Sequence, residues 1–347
     1  MKKSILLLTT LLALLLSFLF FLNQEESLDE GRPTSISNRV FSHENLVLVE
    51  EFEIIGRITK IYRSSGSIWV VDAATNQISQ FLDGFKPGNV LSRSGGAPWE
   101  NSSIWYFEKV EDGHYILDRP KKMIKKYNLN DSLEYYFKAK DYIDNCSRLA
   151  DENFLFTREN GNDFQFVTTD IKTSEVNNVQ SIKEMIFATY KKFPDRNRSL
   201  VFEGNYSRNR AGQSIYYFYK FGYLLLFDSV GNIKHGLRTI DNFELPDPVS
   251  RQLGPGIQEE SVEPDIFVNS SACMDENNIY ILSNIIKSAY KNGKVIDVYS
   301  INEGKYLYSF LVPNLKNGEE PTEIAKEDDN KISVLYEDMT ISTYEIK

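Results

Sequence analysis

The chain has 347 residues, 41% hydrophobic, 13% aromatic and 25% charged, which is the composition of a globular protein with a large core. Thirty-nine Lys and Arg stand against 49 Asp and Glu, a net charge of −10. That balance argues against general affinity for nucleic acid or anionic lipid, because both need a cationic face.

The chain opens with Lys2 and Lys3, then an uncharged, Leu-rich run over 5–22, then Glu25, Glu26, Asp29 and Glu30. This is a targeting segment, and its charge asymmetry keeps the N-terminus in the cytoplasm and sends the rest outside. The run is just long enough to span a bilayer. Its end, Phe18-Leu19-Phe20-Phe21-Leu22, lacks the small residues that a signal peptidase requires. Residues 1–22 are therefore expected to be an uncleaved signal anchor, with a cleaved signal peptide as the alternative. No cysteine follows the run, which excludes a lipoprotein anchor. Residues 23–44 carry Gly31, Pro33 and several Ser and Asn without apolar period, the composition of a flexible tether.

The body, 45–347, is organised around 67–82. An apolar run (Ile68, Trp69, Val70, Val71) ends on Asp72 and is followed by a polar turn and a second short strand ending at Phe81. The pattern returns over 114–129, where Asp118, Ile124 and Tyr127 match Asp72, Ile78 and Phe81. Hairpins repeating at this period predict an all-β fold, a β-propeller. The length of the body divided by the observed repeat gives six blades, with seven as the alternative. The apolar stretch 46–55 stands ahead of the first full repeat, and the chain stops before the last blade has its outermost strand. The front of the chain is thus expected to complete the last blade and close the ring.

Blade one is read at about 58–93 and blade two at 104–139, with the Gly/Pro loop Ser94-Gly95-Gly96-Ala97-Pro98-Trp99-Glu100 between them. Blade three begins near Tyr142. Blade four covers about 185–240 and includes Leu200-Val201-Phe202 and the basic loop Arg208-Asn209-Arg210. Residues 245–265, with four prolines and Glu259, Glu260 and Glu263, read as an irregular acidic insertion. Blades five and six follow at 266–312 and 323–346. Acidic, Asn-rich clusters at 275–278 and 327–330 are expected as tight turns between the first two strands of a blade.

These features resemble the six-bladed propellers of NHL/TolB-like type found in bacterial secreted and lipid-anchored proteins. The resemblance rests on Ile55-Gly56-Arg57-Ile58, the Ile68 to Asp72 strand, 76–81 and the Gly-rich stretch 93–100. It covers most of 46–347. The sequence departs from the pattern in lacking the acylated cysteine. Most of that group has no known activity, so the resemblance implies fold and location more than function.

Few chemistries are supported. The three histidines, His43, His114 and His235, are far apart in sequence, with no HExxH and no CxxC, so neither a metal nor a cofactor is expected. Cys146 and Cys273 fall in non-adjacent blades and are read as unpaired buried side chains. Asp72 and Asp118 are repeat-equivalent. They are either two members of an oxygen-ligand ring or two side chains capping their own turns, the commoner use of Asp at a strand end. Strand aromatics are read as core, which leaves Trp99, in the Gly/Pro loop, as the candidate exposed anchor. The expected function is a membrane-tethered extracytoplasmic binding or scaffold module, monomeric, for a protein, peptide or glycan. The alternatives are a metal-assisted hydrolase or lyase in the channel, and a purely structural envelope component.

Overall fold

The computed structural model describes residues 39–42, 45–140, 143–160, 163–183, 198–254, 256–285, 292–327 and 330–347. The expected leader (1–22) and most of the expected tether lie outside these residues. Among those described, no helix is long and apolar enough to cross a membrane.

Six four-stranded antiparallel sheets form a ring of blades, with the first strand of each innermost. From channel to rim, blade one is Ile58–Ser64, Ser67–Asp72, Gln77–Leu82 and Lys86–Leu91. Blade two is Ile104–Val110, Gly113–Asp118, Met123–Asn128 and Leu133–Lys138. Blade three is Cys146–Arg148, Asn153–Asn160, Asp163–Asp170 and Val176–Ser181. Blade four is Gly204–Arg208, Ser214–Phe218, Tyr223–Phe227 and Ile233–Arg238. Blade five is Asn269–Met274, Asn278–Ser283, Gly293–Ser300 and Tyr306–Pro313. Blade six is Pro321–Lys326, Lys331–Tyr336, Thr340–Ile346 and, outermost, Leu46–Glu53 from the front of the chain. The fold is a six-bladed β-propeller.

Why these residues make blades follows from burial. The second strand of a blade has a neighbouring blade on each face, so its side chains are covered on both sides and it reads as an unbroken apolar run. Residues 68–71, 154–156, 215–218 and 279–282 are such runs, and all are buried. Alternate residues then feed opposite cores. Ile116 packs with Trp69, Val71 and Phe107 between blades one and two, while Tyr115 and Leu117 pack with Phe154 and Val167 between blades two and three. Six buried clusters result, one in each gap between neighbouring blades. Each fully buried Leu, Ile or Phe contributes roughly 1.5–3 kcal/mol of transfer free energy, so the six cores hold the ring together.

The ring is sealed within blade six. Leu46 lies opposite Ile346 and Glu53 opposite Thr340 in an antiparallel pair. Asn45 and Lys347 exchange backbone hydrogen bonds of 2.8 and 3.1 Å. Residues 39–42, the end of the expected tether, lie along the outer edge of blade five. Phe41 bridges Ser309 in parallel, the Ser42 N–H donates to the Ser309 carbonyl (3.0 Å), and the Ser309 N–H donates to that of Val40 (2.9 Å). Arg39 enters the blade here. Its guanidinium grips both carboxylate oxygens of Asp297 (2.8 Å each) and reaches Asp241 at 2.6 Å, with both partner side chains at most 2% exposed.

Two readings of the chain are corrected. Residues 245–265 are not irregular: Asp247–Gly254 and Ile257–Glu263 form a two-stranded hairpin. Its Val262 is buried in the core between blades three and four, which fixes one end, and Leu253 and Ile257 stand exposed near the tip. Leu200-Val201-Phe202 is not a strand of blade four. A helical turn covers Arg198–Val201, and Val201 and Phe202 fill that same core, so their hydrophobicity serves packing rather than a ladder.

Candidate functional site

The six inner strands carry unlike side chains into a central channel. Its wider end is a cavity of about 970 Å3 that all six inner strands line. It opens on the face carrying the turns between first and second strands, where Ser65, Asp112, Arg210 and Glu327 form the rim. Seven cationic and five acidic side chains line it, although the chain as a whole carries −10.

The charges are locked across blades. Glu108 of blade two pairs with Arg148 of blade three (3.0 Å) and Arg208 of blade four, and also accepts the Tyr106 hydroxyl. Arg210 of blade four reaches Glu327 of blade six. The Glu327 carboxylate in turn accepts the Ser65 and Gly66 N–H groups of blade one (2.7 and 3.1 Å). Arg63 donates to the Ser333 hydroxyl at 3.0 Å, and Lys326 lies 3.5 Å from Asp275. Guanidinium forks held this way are pre-ordered, so a ligand that meets them gives up little side-chain freedom.

At the waist, Lys60 of blade one meets Glu323 of blade six at 3.0 Å. Burial works against the Lys60 charge. The Glu323 carboxylate more than offsets that and holds the ammonium well above the usual lysine range. Lys60 lines both ends of the channel. Beyond it lies a narrower cavity of about 400 Å3 on the opposite face, lined by Trp105, Arg119, Asp144, Asn145 and Glu203 among others. The Arg119 guanidinium sits 4.0 Å from the Trp105 ring centroid and pairs with Asp144.

The residues singled out in the sequence lie elsewhere, and neither Asp72, Asp118 nor Trp99 lines either cavity. Asp72 caps its turn. Its carboxylate accepts the Ala74 N–H (2.9 Å), the Arg57 N–H (3.0 Å) and the Thr75 hydroxyl (2.8 Å). Burial raises its pKa, but these donors outweigh that and hold it below the usual carboxylate range. Asp118 instead accepts from Ser102, ahead of its blade's first strand (N–H 3.1 Å, hydroxyl 2.7 Å), and adds a fully buried ion pair with Lys125 at 2.9 Å. Here too burial opposes the charge and the bonds to Ser102 and Lys125 win, lowering the pKa. Lys125 also donates to the Asn101 side chain, and Lys121 donates to the carbonyls of Gly95, Ala97 and Glu100. These two lysines anchor the Gly/Pro loop that displays Trp99, which is 55% exposed. Trp69 is buried as expected. Trp105 is not: it is 42% exposed at the narrow mouth, a second exposed tryptophan that its place in a strand concealed.

Cys146 and Cys273 are free, buried and on the inner strands of blades three and five. Burial pushes both thiols up, so they are inert rather than nucleophilic. His114 is buried and stacked on Tyr127, ring centroids 5.0 Å apart, in the core rather than the channel. Among the described residues, no group of three or more His, Cys, Asp or Glu is placed to hold a metal ion.

No protein-family model matches the sequence, and no curated protein matches it either. Solved structures do. The chain is similar to a member of the DUF4221 family from Bacteroides vulgatus at 11% identity and a TM-score of 0.53, over 89% of this chain and 98% of that one. It is similar to a protein of Bacteroides fragilis inferred to be exported, at 11% identity and a TM-score of 0.51, over 88% and 95%. It is also similar to a streptogramin B lyase, at 11% identity and a TM-score of 0.50, over 87% and 98%. The likeness is one of fold. At this identity the channel-lining residues are this chain's own, and the argument about function has to come from them.

Proposed function

We propose that this protein is an extracytoplasmic binding module, a propeller of NHL/TolB-like type tethered to the membrane by its N-terminal segment, that takes an acidic peptide segment of a partner protein in the wide mouth of its channel. One observation carries the reading: cationic side chains outnumber acidic ones in that mouth while the chain as a whole is strongly anionic. A cleft whose net charge is opposite to that of the body attracts and orients a ligand of the complementary charge. Arg148, Arg208 and Arg210 supply forked donors for carboxylates, and Glu108 and Glu327 supply acceptors for backbone N–H groups. That mixture suits a peptide with acidic side chains. An extracytoplasmic address is supported by the charge asymmetry of the leader. The hydrolase or lyase alternative loses its residues, because Asp72 is committed to its turn and Asp118 to Lys125.

The test is fluorescence anisotropy with a labelled decapeptide alternating Asp and Gly, against one alternating Lys and Gly. The acidic peptide binds, and its affinity falls as salt rises. Arg208→Gln/Arg210→Gln weakens it by about tenfold, or about 1.4 kcal/mol. Equal binding of the two peptides, or an unchanged affinity in the double variant, would refute the proposal.

A further inference from the structure

The narrow mouth is built for different chemistry, although Lys60, Trp105 and Asn205 line both mouths. We infer that it is a second binding site, for a neutral oligosaccharide, with one sugar ring stacked on Trp105. A sugar presents an apolar C–H face and a belt of hydroxyls that both donate and accept. It therefore needs an aromatic platform with acceptors and donors beside it. Trp105 is 42% exposed even though Arg119 covers part of the ring at 4.0 Å, so ring surface remains for a ligand. Asp144, held by Arg119, supplies carboxylate acceptors, and Glu203 supplies two more. Donors come from Arg119 and, at the floor, Lys60. The cavity, about 400 Å3, is of small-ligand size and opens to solvent. Its charge balance is opposite to that of the wide mouth: Asp144, Glu159 and Glu203 face Lys60 and Arg119. An acidic peptide is repelled there, whereas a neutral polyol can use both signs at once. A buried polar group left unpaired is costly, so such a site selects for hydroxyls in the right places.

The test titrates the full-length protein with cellotriose, maltotriose, chitotriose and mannotriose, read by tryptophan fluorescence and calorimetry. At least one trisaccharide binds and changes the emission. Trp105→Ala and Asp144→Asn each weaken that binding tenfold or more. Trp99→Ala leaves it unchanged, and Asp144→Asn, which lies in the narrow mouth alone, leaves acidic-peptide binding unchanged. Asp144→Asn keeps the indole in place, so it tests the site even if Trp105→Ala fails to fold. The inference fails if no trisaccharide binds, if binding survives Trp105→Ala in the folded variant, if it survives Asp144→Asn, or if it is lost in Trp99→Ala.

Discussion

Asp72 and Asp118 occupy the same place in successive repeats, and their difference shows how one neighbouring residue sets the role of a carboxylate. Seven positions after Asp118 stands Lys125, and seven after Asp72 stands Ser79. Blade one therefore keeps an ordinary turn cap, and blade two gains a buried ion pair. Removing one member of such a pair leaves an uncompensated buried charge, at a cost of about 3–5 kcal/mol. Asp118→Asn is expected to destabilise the protein by about that much, while Asp118→Asn/Lys125→Met recovers most of it. Thermal melts of the three variants check this. The pKa of Asp118 is lowered on folding, so its contribution is fully present above the unfolded value near 4 and is lost as pH falls through the lowered folded value. An acid titration followed by circular dichroism should unfold Asp118→Asn with less pH dependence below pH 4 than the parent.

The strands differ in how plainly they announce themselves. The second strand of each blade is legible because burial on both faces leaves it no polar alternative. Residues 68–71 and 279–282 could scarcely be anything else. The outer strands Lys86–Leu91 and Val176–Ser181 are largely exposed and carry no such mark. The inner strands hide the site for a related reason. One face lines a polar channel, so Lys60, Tyr106 and Glu323, each the third residue of its strand, read as unrelated surface residues. Function has no repeat there even though the backbone does. The Arg208-Asn209-Arg210 loop was visible in the sequence, but its meeting with Glu108 and Glu327 depends on ring closure between distant segments. Trp105 was hidden because an aromatic in a strand is usually core. The segment 39–42 shows the same limit: its composition is that of a tether, yet Arg39 is clamped between Asp241 and Asp297. Arg39→Ala leaves two buried carboxylates without their cation and is expected to cost about 3–5 kcal/mol. Limited proteolysis should then cut between Val40 and Leu46 in the variant and not in the parent.

The whole molecule is a closed ring with two unlike mouths. Six cores between blades fix the six inner strands around one axis, and the ion pairs across the channel join blades two, three and four, and blades four, six and one. Strand pairing closes the circle from the front of the chain, so stability and the shape of the channel are not separable. Leu48→Pro removes a backbone donor from the outermost strand of blade six, where Leu48 pairs with Tyr344. Because that strand lies at an edge, the variant is expected to fold with a lowered melting temperature and to bind the acidic decapeptide more weakly, as measured by scanning calorimetry and anisotropy. The most direct test of the account places a photo-crosslinking benzoylphenylalanine at Ser65, on the rim of the wide mouth, or at Ala74, on a turn of the opposite face. With the biotinylated acidic decapeptide, the account predicts a crosslink from position 65 that excess salt abolishes, and none from position 74. Crosslinking from position 74 alone, or equally from both, would contradict it.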